Sequence, residues 1–413
     1  MACTPRNGPL AGIKVLDLTS VIMGPYCTQI LADLGAEVIK IESPSGDTLR
    51  AIPPARTPGN GACFRWLNRG KRSVVLDLKQ PEARDALLEL AREADVFVHS
   101  MRPQAIARLR LEHAAFEAVN PALVYCNLYG FGRGGRYAGM AAYDDTIQAA
   151  CGLARLQEEM LGQPSYVASV VADKVCGLTG AYAIMAALLH RERGGPGQEV
   201  DVPMFETMAS FMLVEHLGGQ LFTPPTGRPV YARATSPARR PYPTRDGFIS
   251  VLVYNDKQWQ AFTRLVDRPD LGADPRFCSL QQRSLHVEAW CNAVAAQIAV
   301  HETAHWLERL PPIGVPAMAL NRTDDLFTDP HLQDVGFFAE VPDARDGPLR
   351  MPRSPVVFQR TPAPVHAGGP TLGQDTEHVL ASIGLSPLQI QAMHKRGVIG
   401  VANPDHAAQK NMT

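Results

Sequence analysis

A single carboxylate, Asp173, is set between the small-residue run Val167 to Ala172 and a nearly uncharged stretch from Val175 to Leu189. That stretch ends in His190, Arg191 and Arg193, followed by Gly194, Gly195, Pro196 and Gly197. Cations in the last turn, then glycine, then proline, read as a helix stop. A helix so apolar is expected to be buried, with Asp173 near its positive, N-terminal end. Two roles suit a carboxylate there. One is a helix N-cap, although Cys176 stands where a capping box would place Glu or Gln. The other is a nucleophile: the helix terminus keeps it ionised, and small neighbours let a bulky acyl group approach.

Two further patterns carry less. His301-Glu302-Thr303-Ala304-His305 fits the HExxH zinc template, but Val300, Ala304, Trp306, Leu307 and Leu310 would form the apolar face of that helix. The two histidines then fall on the solvent side, and Glu308 occupies the place of the glycine that extends the metzincin pattern. A metal site is not expected. Gly130-x-Gly132-x-x-Gly135 follows a strand-like run, yet Tyr137 to Asp145 reads as loop rather than the helix a dinucleotide fingerprint requires. A flexible turn is the better reading.

Stepping out to the whole chain, 413 residues allow two or three domains. A net charge of -1 gives no electrostatic reason to expect nucleic acid or an anionic membrane as partner. No apolar run approaches the roughly 20 residues of a membrane span. The opening MACTPRNGPLAG has no apolar core of a secretory signal. Eight cysteines are scattered without a CxxC pair, as suits a reducing cytoplasm.

Strand and helix signals alternate along the first half. Gly12 to Thr19, Glu37 to Ile41, Ser73 to Leu78, Asp95 to Val98 and Leu123 to Leu128 read as strands. Helices are expected near Tyr26 to Leu34, Pro81 to Ala94 and Pro103 to Leu109. The pattern is that of an α/β fold with a mostly parallel, Rossmann-like sheet, in which ligands sit beyond the carboxyl ends of the strands. From Thr223 a proline- and arginine-rich segment without period leads into a smaller α/β or α+β unit. Residues 1–222 are therefore expected to open the large domain, 223–325 to form linker and small domain, and 326–413 to return. Asn403 to Thr413 is read as a polar tail.

Several blocks together resemble one family. PLAGIKVLDLTSVIMGPYCTQILADLGAEVIKIESPSGD, KRSVVLDLK, YGFGRGGRYAGMAAYDDTIQAACG, Asp173 before its Gly- and Ala-rich helix, HRERGGPGQEVDVPMFET and TAHWLERLPPIGVPAMALN occur in the order of the class III CoA-transferases, the CaiB/BaiF family, with a formyl-CoA transferase-like layout. The resemblance implies an interlocked homodimer, each chain pairing a large domain built from both chain ends with a small one. It implies acyl-CoA and a small organic acid as substrates, with no tightly bound cofactor. It places CoA along Val21, Ile22 and Met23, with Leu76, Lys79, Ser100, Met101 and Arg108. Lys79 and Arg108 are the phosphate partners on this reading. Ser43 and Ser100-Met101 depart from the formyl-CoA transferase pattern, so Arg50, Arg72 or Arg102 are candidate substitutes. Gly132, Gly134 and Gly135, with Tyr143, are expected around the thioester, where glycine allows close backbone approach. Formyl-CoA transferases carry a glycine-rich loop at about the place where this chain has Arg239-Arg240. Paired guanidinium groups there would suit the distal carboxylate of a dicarboxylic acyl group such as succinyl-CoA.

With Asp173 as nucleophile, the chemistry is acyl exchange through an aspartyl anhydride and an aspartyl-CoA thioester, in a site that excludes water. The rival reading on the same fold is an α-methylacyl-CoA racemase, which pairs that aspartate with a His-Asp step. Here the place reads Tyr143-Asp144, and tyrosine is a poor proton acceptor at neutral pH. A non-catalytic CoA-binding protein is the third reading.

Overall fold

The structure is a computed structural model that describes residues 7–402; the tail from Asn403 lies outside them. Its residues fall into two compact units. The larger contains residues up to Cys151, Ser169–Ala209 and the segment from Gln333 on; the smaller contains Gly152–Ala168 and Ser210–Leu332. The change of unit thus falls at 209/210 rather than at 222/223, and the excursion 152–168 groups with the smaller unit.

The large unit is organised by six parallel strands: β1 (Lys14–Leu18), β2 (Glu37–Glu42), β3 (Arg72–Leu76), β4 (Val96–His99), β5 (Val124–Tyr129) and β6 (Glu199–Pro203). Their order is β3-β2-β1-β4-β5-β6, and β7 (Ile399–Gly400) adds antiparallel to β3 at the far edge. The first five follow from runs such as KVLDL and VFVH, buried on both faces as parallel strands must be. The order reverses between β1 and β4, which opens a crevice at their carboxyl ends, the ligand position of doubly wound sheets.

Helix α1 (Met23–Asp33) follows β1. It begins three residues before the sequence reading, with Gly24 and Pro25 in its first turn. Proline is tolerated there because first-turn N–H groups have no intrahelical partner. Helices α2 (Pro81–Ala91) and α3 (Pro103–Arg108) both start on proline. Leu16, Ile39, Val74, Leu87, Phe97, Phe116 and Leu380 pack the core on one face of the sheet.

The segment read as loop after the glycine-rich turn contains a helix, α4 (Asp144–Ala150). It packs beside α5 (Val171–Glu192), and α6 (Met204–His216) follows β6. Helix α5 reaches 22 residues, long and apolar enough by composition to cross a membrane, contrary to the sequence reading. It is also only partly buried. Ala172, Cys176, Gly180, Ile184 and Leu188 face α1 and the sheet, whereas Leu178, Tyr182 and Leu189 are exposed. Small residues on the inner face set that orientation by letting α1 approach closely.

The smaller unit packs helices Asp256–Leu265, Val287–Ile298 and Thr303–Arg309 with an antiparallel three-stranded sheet of Tyr242–Pro243, Phe248–Val251 and Ala317–Ala319. Trp259, Phe262, Trp290, Trp306 and Ile249 fill its core. Leu280–Leu285 and Val287–Ile298 are separate helices, parted at His286. His301 precedes the Thr303–Arg309 helix, so the HExxH residues do not share one helical face; their rings stack at 3.9 Å.

Candidate active site

The site is built around the start of α5. Asp173 is in its first turn, and Val170 is the N-cap. Asp173 does not cap the helix. That work falls to Asp144, whose Oδ1 accepts the N–H of Ala172 at 2.7 Å and of Asp173 at 3.2 Å. Its Oδ2 accepts from Gln148 Nε2 at 2.6 Å, so the buried Asp144 is fully engaged. The capping reading of Asp173 is overturned, and its carboxylate is left to the site.

Because Asp144 occupies the terminal N–H groups, the helix end does not keep Asp173 strongly ionised as expected. Burial, and secondarily the charge of Asp144, push the Asp173 carboxyl up from 3.8 to about 7. Its charged form is thereby penalised by roughly 4 kcal/mol relative to water. Both carboxylates were legible as residues, but only the tertiary pairing of α4 with α5 assigns their roles. The cue for α4 is the Asp144-Asp145 pair, first-turn residues of a helix whose short TIQAA run shows no apolar period.

Gly177, one turn beyond Asp173, fixes α5 over α1: a Cβ there would lie 2.8 Å from the Met23 carbonyl oxygen. Met23 ends the segment Val21-Ile22-Met23 expected to carry CoA. Val21 has φ 68°, a left-handed conformation that a β-branched residue rarely holds, and such strain gathers at ligand sites. A buried polar network holds the turn. Asp17 Oδ1 accepts from Thr19 Oγ1 at 2.5 Å, Lys40 Nζ donates to the Thr19 carbonyl at 2.9 Å, and Asp47 Oδ1 accepts the Val21 N–H at 3.4 Å. Lys40 pairs with Asp47 and Lys71 with Asp17, each at 3.0 Å, all four side chains essentially inaccessible. None of these charges was singled out from sequence, where lysines read as surface.

Across the crevice, Ser100 Oγ accepts the Ser20 N–H at 3.3 Å, joining the ends of β1 and β4. Ser100 and Arg102 line a small pocket with Tyr129, Gly130 and Phe131. Lys79, Arg102 and Arg108 are exposed and have no ion-pair partner among the described residues, which suits them to phosphates. Arg50 and Arg72 are committed elsewhere. Arg50 forks onto Glu42 and lies 3.7 Å over the Phe64 ring, and Arg72 pairs with Glu37 at the amino end of β3. Leu76 is buried in the hydrophobic core, so its side chain is not presented to the crevice.

The glycine loop closes the other side. Gly132 N–H donates to Glu206 Oε1 at 2.9 Å, and Gly135 N–H to the Gly132 carbonyl at 3.2 Å. These two N–H groups are already committed, whereas Gly134 stands in open space. The third glycine opens no helix, as the sequence indicated. Phe131, Gly132, Gly135, Arg136, Tyr137, Phe205 and Glu206 line a cavity of about 390 Å³. Glu206, in the first turn of α6, was missed; the backbone tie to Gly132 has no sequence signal. Cys176 Sγ reaches the Met204 carbonyl at 3.8 Å, so α5, α6 and the loop converge. Tyr143 is exposed, directly before Asp144. Arg239 and Arg240 lie in the smaller unit, exposed on a cavity of their own.

A partly buried carboxylate of raised basicity at the start of a helix, its backbone held by another residue, suits nucleophilic attack on an activated carbonyl. The model of CoA-transferase family III matches residues 10–376. Succinate–glutarate CoA-transferase of Agrobacterium fabrum is 33% identical over 396 residues, covering 92% of this chain and 96% of its own. Succinyl-CoA:mesaconate CoA-transferase of Haloarcula marismortui is 31% identical over 395 residues, covering 92% and 97%. The crystal structure of a CaiB/BaiF family protein from Brucella suis superposes with TM-score 0.77 at 30% identity, over 92% of this chain and 100% of that one.

Proposed function

This chain belongs to CoA-transferase family III and is a class III CoA-transferase; from that premise we propose that it moves CoA from a dicarboxylic acyl-CoA such as succinyl-CoA to a carboxylic acid. The relatives named for succinate, glutarate and mesaconate support the dicarboxylic donor.

Asp173 is the nucleophile. Its carboxylate attacks the thioester carbonyl, the C–S bond breaks, and CoA leaves as the thiolate from a mixed anhydride. The thiolate then attacks the aspartyl carbonyl and releases the donor acid, leaving an aspartyl-CoA thioester. The acceptor carboxylate attacks that thioester, and the returning thiolate attacks the acceptor's acyl carbon, regenerating the Asp173 carboxylate. No net proton is consumed. Val21, Ile22, Met23, Ser100 and Met101 hold the CoA arm, with Lys79, Arg102 and Arg108 toward its phosphates. The observation that carries this reading is the release of Asp173 from capping by Asp144.

The working unit is a homodimer in the cytoplasm. The exposed face of Leu178, Tyr182 and Leu189 on α5 supports cover by a second copy, and the seven cysteines among the described residues, all free, suit a reducing compartment. The deciding experiment is interception by hydroxylamine during turnover with succinyl-CoA, followed by peptide mass spectrometry. A hydroxamate at Asp173 is expected; turnover with no adduct there, or full activity of Asp173→Asn, rejects the mechanism.

A further inference from the structure

In the smaller unit, Arg233, Arg239 and Arg240 line a cavity of about 350 Å³. None of the three has an ion-pair partner among the described residues, and no acidic side chain lines the cavity. Three unneutralised guanidinium groups facing one space repel one another, an arrangement that a bound anion relieves. The floor is apolar and well buried: Tyr242, Val251, Val253, Trp290, Cys291 and Val294.

A second observation is independent of charge. Trp290 is 4% exposed, and its indole Nε1 has no hydrogen-bond partner among the described residues. A buried donor left unmade is costly, and a ligand oxygen would satisfy it. The turn that carries two of the arginines is also set in place beforehand. Arg239 N–H donates to the Ser236 carbonyl at 2.9 Å and Arg240 N–H to that of Ala238 at 3.1 Å, in a turn that leads directly into the strand Tyr242–Pro243. Such preorganisation lowers the cost of binding.

We propose that this cavity is a carboxylate site that takes C4–C5 dicarboxylates, one carboxylate on the arginines and the short methylene chain over the apolar floor. The inference rests on the dicarboxylic reading of the transferase and adds the residues that select for it. At about 350 Å³ the cavity is near the lower end of the roughly 300–1,000 Å³ usual for ligand pockets, which suits a small acid rather than a whole nucleotide. A monocarboxylate of equal length neutralises less of the charge of the three guanidinium groups.

The test is binding to the full chain without CoA, so that it does not depend on turnover. Succinate, glutarate, butyrate and inorganic phosphate are titrated by calorimetry against the native protein, Asp173→Ala, Arg233→Gln and the double variant Arg239→Gln/Arg240→Gln. The Trp290 indole N–H resonance, assigned with Trp290→Phe, is followed in parallel. Succinate or glutarate should bind at least tenfold tighter than butyrate or phosphate and shift that resonance. The arginine variants should lose about tenfold or more in affinity with unchanged circular dichroism, while Asp173→Ala binds normally. Equal binding of all four anions, an unmoved Trp290 resonance, or full affinity in the arginine variants overturns the proposal. A native protein that binds succinate but transfers no CoA would instead refute the transferase mechanism alone.

Discussion

Asp144 Oδ1 accepts the N–H of Asp173 at 3.2 Å, so one carboxylate holds the backbone of the other while its charge opposes ionisation of that neighbour. On the proposed mechanism, the pair divides two duties of a helix start, capping and chemistry, between two chain segments.

The first expectation concerns pH. With Asp173 near 7, the reacting carboxylate is scarce below neutrality, and kcat/KM should rise with pH through about 7 to a plateau. Asp144→Asn keeps an oxygen for the two N–H groups but removes the charge. Its midpoint should move to lower pH, only part of the way toward 3.8, because burial is the larger cause. A pH–rate profile unchanged by the substitution would contradict this.

Stability should move oppositely to activity at Asp173. The folded-state value is raised, so its contribution is fully present below about 3.8 and is lost as pH rises through about 7. Asp173→Asn cannot ionise and escapes that loss. Denaturant unfolding should find it about 1–4 kcal/mol more stable than the native protein at pH 8. The difference should shrink as pH falls and vanish only below about 3.8. A variant less stable at both values would mean that Asp173 supports the helix after all.

Two neighbouring glycines should respond differently. A methyl on Gly132 would lie 2.6 Å from Glu206 Oε1, whereas one on Gly134 meets nothing within 4 Å. The Glu206 carboxylate can swing aside, so Gly132→Ala should cost little stability. It breaks the Gly132–Glu206 hydrogen bond and shifts the loop, for which about a tenfold loss in kcat/KM is expected. Gly134→Ala should stay within about twofold. Steady-state kinetics and melting curves of both separate the effects.

Gly177→Ala tests the seat of α5. Alanine favours helix by about 1 kcal/mol, but the added Cβ meets a backbone oxygen that cannot move alone. Overpacking of this kind costs roughly 1–3 kcal/mol, so net destabilisation is expected. Because Met23 is displaced, KM for acyl-CoA should rise as well. A stabilised variant with native KM would show that α1 and α5 are not held together at this point.

Lys71→Met addresses the buried network behind the turn at Val21. Lys71 is held between Asp17, Thr28, Asn68 and the Pro25 carbonyl, and burial has drawn its ammonium down to about 8. Removing it leaves Asp17 as an uncompensated buried charge, a loss of about 3–5 kcal/mol in urea unfolding. The added change Asp17→Asn should recover part of that loss; strict additivity would argue against the pairing.

The α/β alternation, the first five strands and the place of Asp173 near the start of its helix were all legible from period and punctuation. Strand β6 was not, because EVDVP is partly exposed and interleaves charges with its valines. The network of Lys40, Asp47, Asp17 and Lys71 was invisible for another reason. Charged side chains are bought into a core only by partners far along the chain, and those pairings are tertiary. Asp144 illustrates the same limit: it was in view beside Tyr143, yet capping a helix 28 residues away leaves no local mark. Exposure of one side of α5 could not be read either, since Leu178 and Tyr182 look like any core residues.

The edge strand β7 has a bearing on biogenesis. Strand β3 waits for a late segment: Ile399 pairs with Leu76, and Asp375 accepts the Ser73 N–H from 302 residues downstream. A ribosome adding roughly 5–20 residues per second leaves that edge bare for tens of seconds. An unpaired parallel edge is a template for wrong partners. The nascent chain thus has reason to engage a chaperone until residues near 400 emerge, and yield should depend on that tail more steeply than on any surface loop.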